Sequence, residues 1–250
     1  MLGSALLVSP IVTPGVTTLE TALPVASNWY TFPDLKETQH SYSHVQDASL
    51  DHPLPVFQRG GSIIPRRTRA RRSTSSQRFD PFTLNVAPDA SSKATGSLYI
   101  DDGATNAHLV GQWNRAELAW AASASGGVLT FTAGVADAKG RVGQLSGTGL
   151  VVERVFVAMA AQPSRVVLQQ QHGGVGQKDV AFTFKSGVVE VRSHAAARAC
   201  ILSIITSNVP SPRLTTSSRW SRRHLLSRFI HERIPQQQQQ PQHTRFLQAA

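Results

Sequence analysis

The sequence predicts an all-β fold: two successive antiparallel β-sandwich domains, residues 1–78 and 79–206, and a disordered, basic C-terminal tail, residues 207–250. Short runs of apolar or alternating residues recur over the first 206 residues, and glycine-containing turn signals separate them. The remainder is rich in serine, arginine and glutamine. With 250 residues and 40% hydrophobic side chains, the chain has material for one large core or two small ones.

The apolar runs have the length of strands rather than of helices. Period-two alternation, as in Val180-Ala181-Phe182-Thr183-Phe184, places one face of a strand on a core and leaves the other face in water. We therefore predict strands within residues 5–12, 28–32, 54–59, 82–87, 96–101, 128–133, 151–159, 165–169, 180–184, 188–192 and 199–205.

Turns are predicted where glycine can adopt positive φ, or where Asp and Ser side chains can bond nearby backbone amides. These positions are Asp102-Gly103, Ser125-Gly126-Gly127, Gly147-Thr148-Gly149, residues 173–176 and Ser186-Gly187. Residues 113–123 stay unassigned, because their propensity suits a short helix and Trp113 and Trp120 stand two helical turns apart.

The domain boundary is placed in residues 72–78, a polar run without an apolar residue. The tail beyond residue 206 carries seven arginines against Glu232, together with five consecutive glutamines, 236–240. Such a composition cannot bury enough apolar area to offset the entropy of ordering, so disorder is predicted, with at most a short helix around residues 221–234.

The formal net charge of +10 is concentrated in that tail and in residues 66–78, which contain six arginines and no acid. The rest of the chain is close to neutral, whereas a protein that neutralises phosphates along a whole face needs basic side chains distributed over it. A nucleic-acid partner is therefore not expected. The run from Arg66 to Arg72 could still act as a nuclear-import or RNA-binding stretch, but a solvated strand edge or hairpin tip is favoured.

Membrane, metal and disulfide signals are weak. No stretch approaches the roughly 18 consecutive apolar residues of a membrane-spanning helix, and the opening residues lack the basic leader of a signal peptide. Cys200 is the single cysteine, and no Cys/His set has zinc-ligand spacing. We predict no metal site and no cofactor site.

Each candidate for catalysis has a simpler explanation. Asp101 and Asp102 are adjacent, so in a strand they would point to opposite faces, whereas glycosidase carboxylates converge across one bond; a turn with Gly103 is favoured. Ser62 lacks the closing glycine of a nucleophile elbow. Residues 174–179 lack the third glycine of a dinucleotide-binding loop and are predicted to be a hairpin turn. His231-Glu232 begins like the helix of a zinc protease, but Pro235 stands where such a protease has its second histidine. We predict no catalytic residue.

Four aromatic residues support an alternative, a carbohydrate-binding sandwich. Trp29, Tyr99, Trp113 and Trp120 could stack on sugars, although each is more often a core residue in a β domain of this size.

Three segments in succession resemble the region that follows the catalytic barrel in glycoside hydrolase family 31. They are Leu2-Gly3-Ser4-Ala5-Leu6-Leu7-Val8-Ser9-Pro10, then Leu54-Pro55-Val56-Phe57-Gln58-Arg59-Gly60-Gly61-Ser62-Ile63-Ile64-Pro65, then Ser97-Leu98-Tyr99-Ile100-Asp101-Asp102-Gly103. The segments Arg69-Ala70-Arg71-Arg72-Ser73-Thr74 and Asp80-Pro81-Phe82-Thr83-Leu84, with Glu153-Arg154-Val155, are more similar still to the glucosidase II α-subunit group. The resemblance covers about residues 1–206.

The resemblance implies proximal and distal β-sandwich domains that support a (β/α)₈ barrel. Family members are retaining α-glucosidases whose catalytic aspartates lie on that barrel, and neither the Trp-x-Asp-Met nor the Gly-Asp-Asn segment occurs in this chain. It is expected to be a non-catalytic C-terminal fragment, inactive by itself. The parent enzyme would trim α-linked glucose from N-glycans in the endoplasmic reticulum lumen, with the barrel and a glucosidase II β subunit as partners. Gly60 and Gly61 would form a tight connection between two strands, with Phe57, Ile63 and Ile64 in the core.

Overall fold

The computed structural model describes residues 1–38, 43–49, 51–52, 54–137, 139–143, 151–170, 177–192 and 200–206, without the side chains of residues 170, 200 and 201. These residues form strands and two short 3₁₀ helices, Ser75–Gln77 and Asn106–Val110. The strands are β1 (Leu6–Val8), β2 (Thr18–Ala22), β3 (Trp29–Thr31), β4 (Ser43–Asp47), β5 (Val56–Arg59), β6 (Ser62–Arg66), β7 (Phe82–Ala87), β8 (Lys93–Ile100), β9 (Asn114–Ser123), β10 (Gly126–Ala133), β11 (Val152–Ala158), β12 (Arg165–Gln170), β13 (Gln177–Asp179), β14 (Phe182–Lys185), β15 (Val188–Arg192) and β16 (Cys200–Ile205).

The all-β prediction is confirmed, and every run predicted as a strand overlaps one. The unassigned residues 113–123 belong to β9, which pairs along its whole length with β8 and β10. Strands β2, β4 and β13 were not predicted, because they are short and largely polar. The predicted tail, residues 207–250, lies outside the described residues, and the division at residues 78 and 79 stays a prediction.

The strands form three sheets. The largest has the order β13-β12-β16-β10-β9-β8-β6-β7-β11-β15-β14, and the smaller ones are β1-β5-β3 and β2-β4. Most neighbours are antiparallel, but β7 pairs in parallel with β11, and β6 pairs in parallel with β8 at Ser62 and Thr95. Parallel neighbours need a long crossover, and the connection from β7 to β11 supplies it by passing through β8, β9 and β10.

One face of the large sheet surrounds the main core. Among the residues described, Leu84, Val157, Val189 and Ile204 are almost fully buried although no α-helix covers them. Strands therefore cover strands, as in a β-sandwich, with the inner residues of both layers in one apolar cluster.

The three-stranded sheet is attached to the large sheet by buried polar groups. The Tyr30 hydroxyl donates to the Pro88 carbonyl oxygen over 2.8 Å, and the Asn85 Nδ2 donates to the Pro33 carbonyl oxygen over 2.8 Å. Gln58, fully buried, donates from Nε2 to the Asn85 carbonyl oxygen over 3.2 Å. This second layer explains why all six residues of β7 are buried, instead of alternating.

Gly60 and Gly61 form the tight connection between β5 and β6 that the sequence predicted. A Cβ atom on Gly60 would lie 2.9 Å from the Pro88 carbonyl oxygen, and Gly61 has φ of +87°. Phe57 and Ile63 are core residues, whereas Ile64 is only half-buried. The assignment of Ile64 to the core was therefore only partly right, since adjacent residues of a strand face opposite sides.

Candidate functional site

The Asp101-Asp102-Gly103 segment forms the turn that follows β8. The backbone N–H of Gly103 donates to Asp101 Oδ1 over 2.8 Å. Asp102 Oδ1 accepts from the backbone N–H groups of Ala104 and Thr105 at 3.1 and 3.0 Å, and the Thr105 hydroxyl donates to its Oδ2. The turn interpretation of these two acids is confirmed.

These hydrogen bonds stabilise the ionised carboxylate of Asp102. The Thr105 hydroxyl and then the Thr105 and Ala104 amides lower its pKa from 3.8 to about 2. A general acid needs a proton near neutral pH, so Asp102 is suited to accept hydrogen bonds rather than to donate a proton.

A surface cavity of about 510 Å³ lies beside this turn. Its walls come from the turn, from the end of β8 and from the segment between β6 and β7. It is lined by Arg67, Thr74, Ser75, Arg78, Phe79, Phe82, Tyr99, Ile100, Asp101, Asp102, Gly103 and Ala104. Two carboxylates, two guanidinium groups and two exposed aromatic side chains, Phe79 and Tyr99, therefore line one concave surface.

The four aromatic residues proposed as sugar platforms have different environments. Trp29, Trp113 and Trp120 are 2–4% exposed and serve as core residues, so they are unavailable for stacking on a ligand. Tyr99 is 53% exposed, and its ring stacks on that of Trp113 with 6.0 Å between centroids and 23° between planes. Burial, followed by the charge of Asp101, raises the pKa of Tyr99.

Phe79 is an exposed aromatic residue that the sequence analysis missed. It is 75% exposed in the structure, and the Arg78 guanidinium lies 5.3 Å from the centre of its ring. A single phenylalanine after a polar run has no periodicity that would mark it as exposed, so no sequence signal identified it.

The arginines after β6 make specific contacts within the fold. Arg71 donates from Nε and Nη2 to both carboxylate oxygens of Asp80, at 2.9 and 2.8 Å, and Arg69 Nη2 lies 2.9 Å from Glu153 Oε2. Arg67 lies over the Phe82 ring at 4.5 Å. Only Arg66 belongs to a strand, β6, which is flanked by β7 and β8, so the strand-edge alternative does not hold. Residues 68–72 are exposed in the connection from β6 to its antiparallel neighbour β7, which fits the hairpin-tip alternative.

These contacts leave less of the basic run available for phosphates. The Asp80 side chain is only 7% exposed, and its hydrogen bonds from Arg71 lower its pKa. Asp80 and Glu153 provide negative charge next to the arginines, and this anchoring does not favour a nucleic-acid surface.

The remaining sequence motifs have structural roles or lie outside the described residues. Ser62 begins β6, and its hydroxyl donates to the Arg59 carbonyl oxygen over 2.5 Å, so it belongs to the turn. Residues 177–179 were predicted to belong to a hairpin turn, but they form β13, because they pair with β12; residues 171–176 lie outside the description. The Cys200 side chain and residues 231–235 also lie outside it.

The described residues contain neither a candidate metal centre nor a candidate membrane-spanning helix. No cluster of three or more His, Cys, Asp and Glu side chains suited to a metal ion occurs in this part of the chain. None of its helices is long and apolar enough to span a membrane.

Comparison with known proteins identifies the family. Residues 1–64 match the model of the glycosyl hydrolase family 31 C-terminal domain. A probable glucan 1,3-alpha-glucosidase of Arabidopsis thaliana is 44% identical over 103 residues, which are 41% of this chain and 11% of that protein. Neutral alpha-glucosidase AB of Mus musculus is 36% identical over 171 residues, which are 68% of this chain and 17% of that protein. The chain thus spans a small part of these relatives.

Solved structures share the fold of this chain. The chain matches a crystal structure of the ER glucosidase II heterodimeric complex, which contains the catalytic subunit and the binding domain of the regulatory subunit, with a TM-score of 0.64 and 25% identity. The match covers 80% of this chain and 22% of that one. A family 31 dextranase of Flavobacterium johnsoniae shares the fold, with a TM-score of 0.65 at 18% identity, over 82% of this chain and 26% of that one. The chain therefore carries, in residues 1–64, the C-terminal domain of glycosyl hydrolase family 31, and it is similar in sequence to neutral alpha-glucosidase AB and in fold to the glucosidase II structure.

Proposed function

We propose that this chain is the C-terminal, non-catalytic region of a glucosidase II-like α-glucosidase, in which its sandwiches support a (β/α)₈ catalytic barrel. The parent enzyme would hydrolyse α-linked glucose from N-glycans in the endoplasmic reticulum lumen, together with a glucosidase II β subunit. The relatives support this proposal through their identity, and the chain contributes none of the catalytic aspartates expected from family resemblance.

The observation that carries the proposal is the number of exposed apolar side chains in the family-matched segment. Among the described residues, seven of the thirteen large hydrophobic side chains that are exposed lie within residues 1–54. Val12, Val25 and Val45 are 82%, 66% and 63% exposed. Exposed apolar side chains are thus more frequent in this segment than in the rest of the described chain, as expected where another part of the protein covers them. In the proposed enzyme, the barrel covers it.

A chimeric enzyme tests this proposal. This chain would replace the corresponding C-terminal region of mouse neutral alpha-glucosidase AB, and hydrolysis of a chromogenic α-glucoside would be measured. We expect activity from the chimera and none from the isolated chain. The double substitution of Val12→Asp and Val45→Asp should lower the yield of active chimera, because each places a charge in the interface.

Val128→Asp is the matched control, since Val128 is 41% exposed on β10, outside the family-matched segment. Equal losses from the control and from the double variant would contradict the proposed interface. Glucose release by the isolated chain would contradict the non-catalytic assignment.

A further inference from the structure

The cavity beside the Asp101-Asp102-Gly103 turn contains two exposed aromatic side chains that the supporting role does not use. Phe79 and Tyr99 are 75% and 53% exposed, and both line this cavity of about 510 Å³. Sites for small organic ligands typically measure about 300–1,000 Å³ and combine aromatic walls with a few polar groups. The cavity has the size and the type of lining of such a site.

The Tyr99 ring is held in position before any ligand arrives. It stacks on Trp113, whose own side chain is 3% exposed and thus held by the surrounding core. A positioned aromatic ring loses little conformational entropy on binding, which favours affinity.

The charges around the cavity balance. Asp101 and Asp102 contribute two carboxylates, while Arg67 and Arg78 contribute two guanidinium groups. An anion would meet the carboxylates and a cation would meet the guanidinium groups, so neither has a net electrostatic advantage. A neutral ligand that both donates and accepts hydrogen bonds meets both kinds of group.

Hydrogen-bonding capacity remains in the cavity wall. The wall includes the hydroxyl side chains of Thr74 and Ser75, both of which are exposed. Many hydroxyl groups on a ligand would find donors and acceptors here.

We propose that this cavity binds a neutral oligosaccharide, with a sugar ring against the faces of Tyr99 and Phe79 and its hydroxyl groups on the carboxylates and guanidinium groups. Pyranose rings have an apolar C–H face and a hydroxyl edge, which matches an aromatic wall beside charged groups. The inference goes beyond the proposed supporting role, because it requires neither a barrel nor catalysis. It would place a glycan-holding site on the part of the chain that follows the family-matched segment.

Binding of maltotriose to the full chain tests this inference. Trp113 lies behind Tyr99, so a bound sugar should produce a saturable change in tryptophan fluorescence, with calorimetry as a second readout. Phe79→Ala should weaken binding by about three- to tenfold, since one aromatic contact is removed from a side chain that does not support the core. Tyr99→Phe keeps the stacking ring and should retain most of the affinity.

Leu109→Ala provides the control, because Leu109 is also strongly exposed, at 65%, but does not line the cavity. It should bind maltotriose as the unmodified chain does. Absence of saturable binding, or equal affinity of the Phe79→Ala variant, would overturn the inference. Displacement of maltotriose by inorganic phosphate at constant ionic strength would also overturn it, because it would identify an anion site.

Discussion

Gly96 lies in β8, where the backbone of β6 is close. A Cβ atom at this position would lie 2.3 Å from the carbonyl oxygen of Ile63 and 2.9 Å from the Ile63 Cβ. The neighbouring contact is a hydrogen bond of 3.0 Å from the Thr95 N–H to the Gly61 carbonyl oxygen. Gly96→Ala therefore pushes against backbone, which cannot rotate away as a flexible side chain would.

The sign of the effect depends on two opposing contributions. Replacing a strand glycine by alanine should by itself stabilise the fold by about 0.5–1 kcal/mol. Overpacking costs about 1–3 kcal/mol, and displacing β6 also weakens a hydrogen bond worth about 1 kcal/mol. The net result is a loss of about 1–3 kcal/mol, which lowers the Tm by about 2–12 °C for a domain of 150–250 residues.

Thermal unfolding of the full chain, followed by circular dichroism, measures this difference. Ser97→Ala is the matched control, since Ser97 is the next residue of β8 and its side chain is exposed. We expect the control to stay close to the unmodified chain. An unchanged or higher Tm for Gly96→Ala would refute the steric argument, because the intrinsic gain of alanine would then exceed the cost of the close approach.

Two further variants test the packing and the ion pairs. Gly127→Ala should lower the Tm strongly, because the Cβ of the new alanine would lie 2.2 Å from the indole ring of the buried Trp120. A Tm equal to or above that of the unmodified chain would contradict this prediction. Hydrogen bonding to Arg71 keeps the pKa of Asp80 in the folded chain below its usual value. The Arg71–Asp80 pair therefore stabilises the fold fully at pH values above the unfolded-state pKa of about 3.9. This stabilisation is lost as the pH falls through the lower pKa that Asp80 has in the folded state. Asp80→Asn should therefore have a lower Tm than the unmodified chain at pH 7 and a smaller difference at pH 3, and parallel pH profiles would refute the assignment.

Local signals predicted the strands well, because alternation and turn residues act over a few neighbouring positions. The hairpin turn at Ser186-Gly187 shows this, since both residues adopt positive φ between β14 and β15. Residues 113–123 could not be assigned, because their composition suits a helix and only pairing with β8 and β10 makes them a strand. Long-range pairing outweighed local propensity there.

The candidate cavity was less predictable than the strands. The turn function of Asp101 and Asp102 followed from their adjacency and from Gly103. That Phe79 shares a cavity with Tyr99 could not be inferred, because the two are twenty positions apart, with β7 between Phe79 and the strand β8 that contains Tyr99.

The sequence by itself determined the all-β class, the positions of most strands, the family resemblance and the location of the basic segments. The tertiary structure decided which side chains are buried, which arginines meet carboxylates, and which aromatic residues remain exposed. The physical reason is the range of the interactions. Strand propensity and turn geometry depend on neighbours in sequence, whereas burial, ion pairing and cavity shape depend on residues that the sheet pairing brings together from distant parts of the chain.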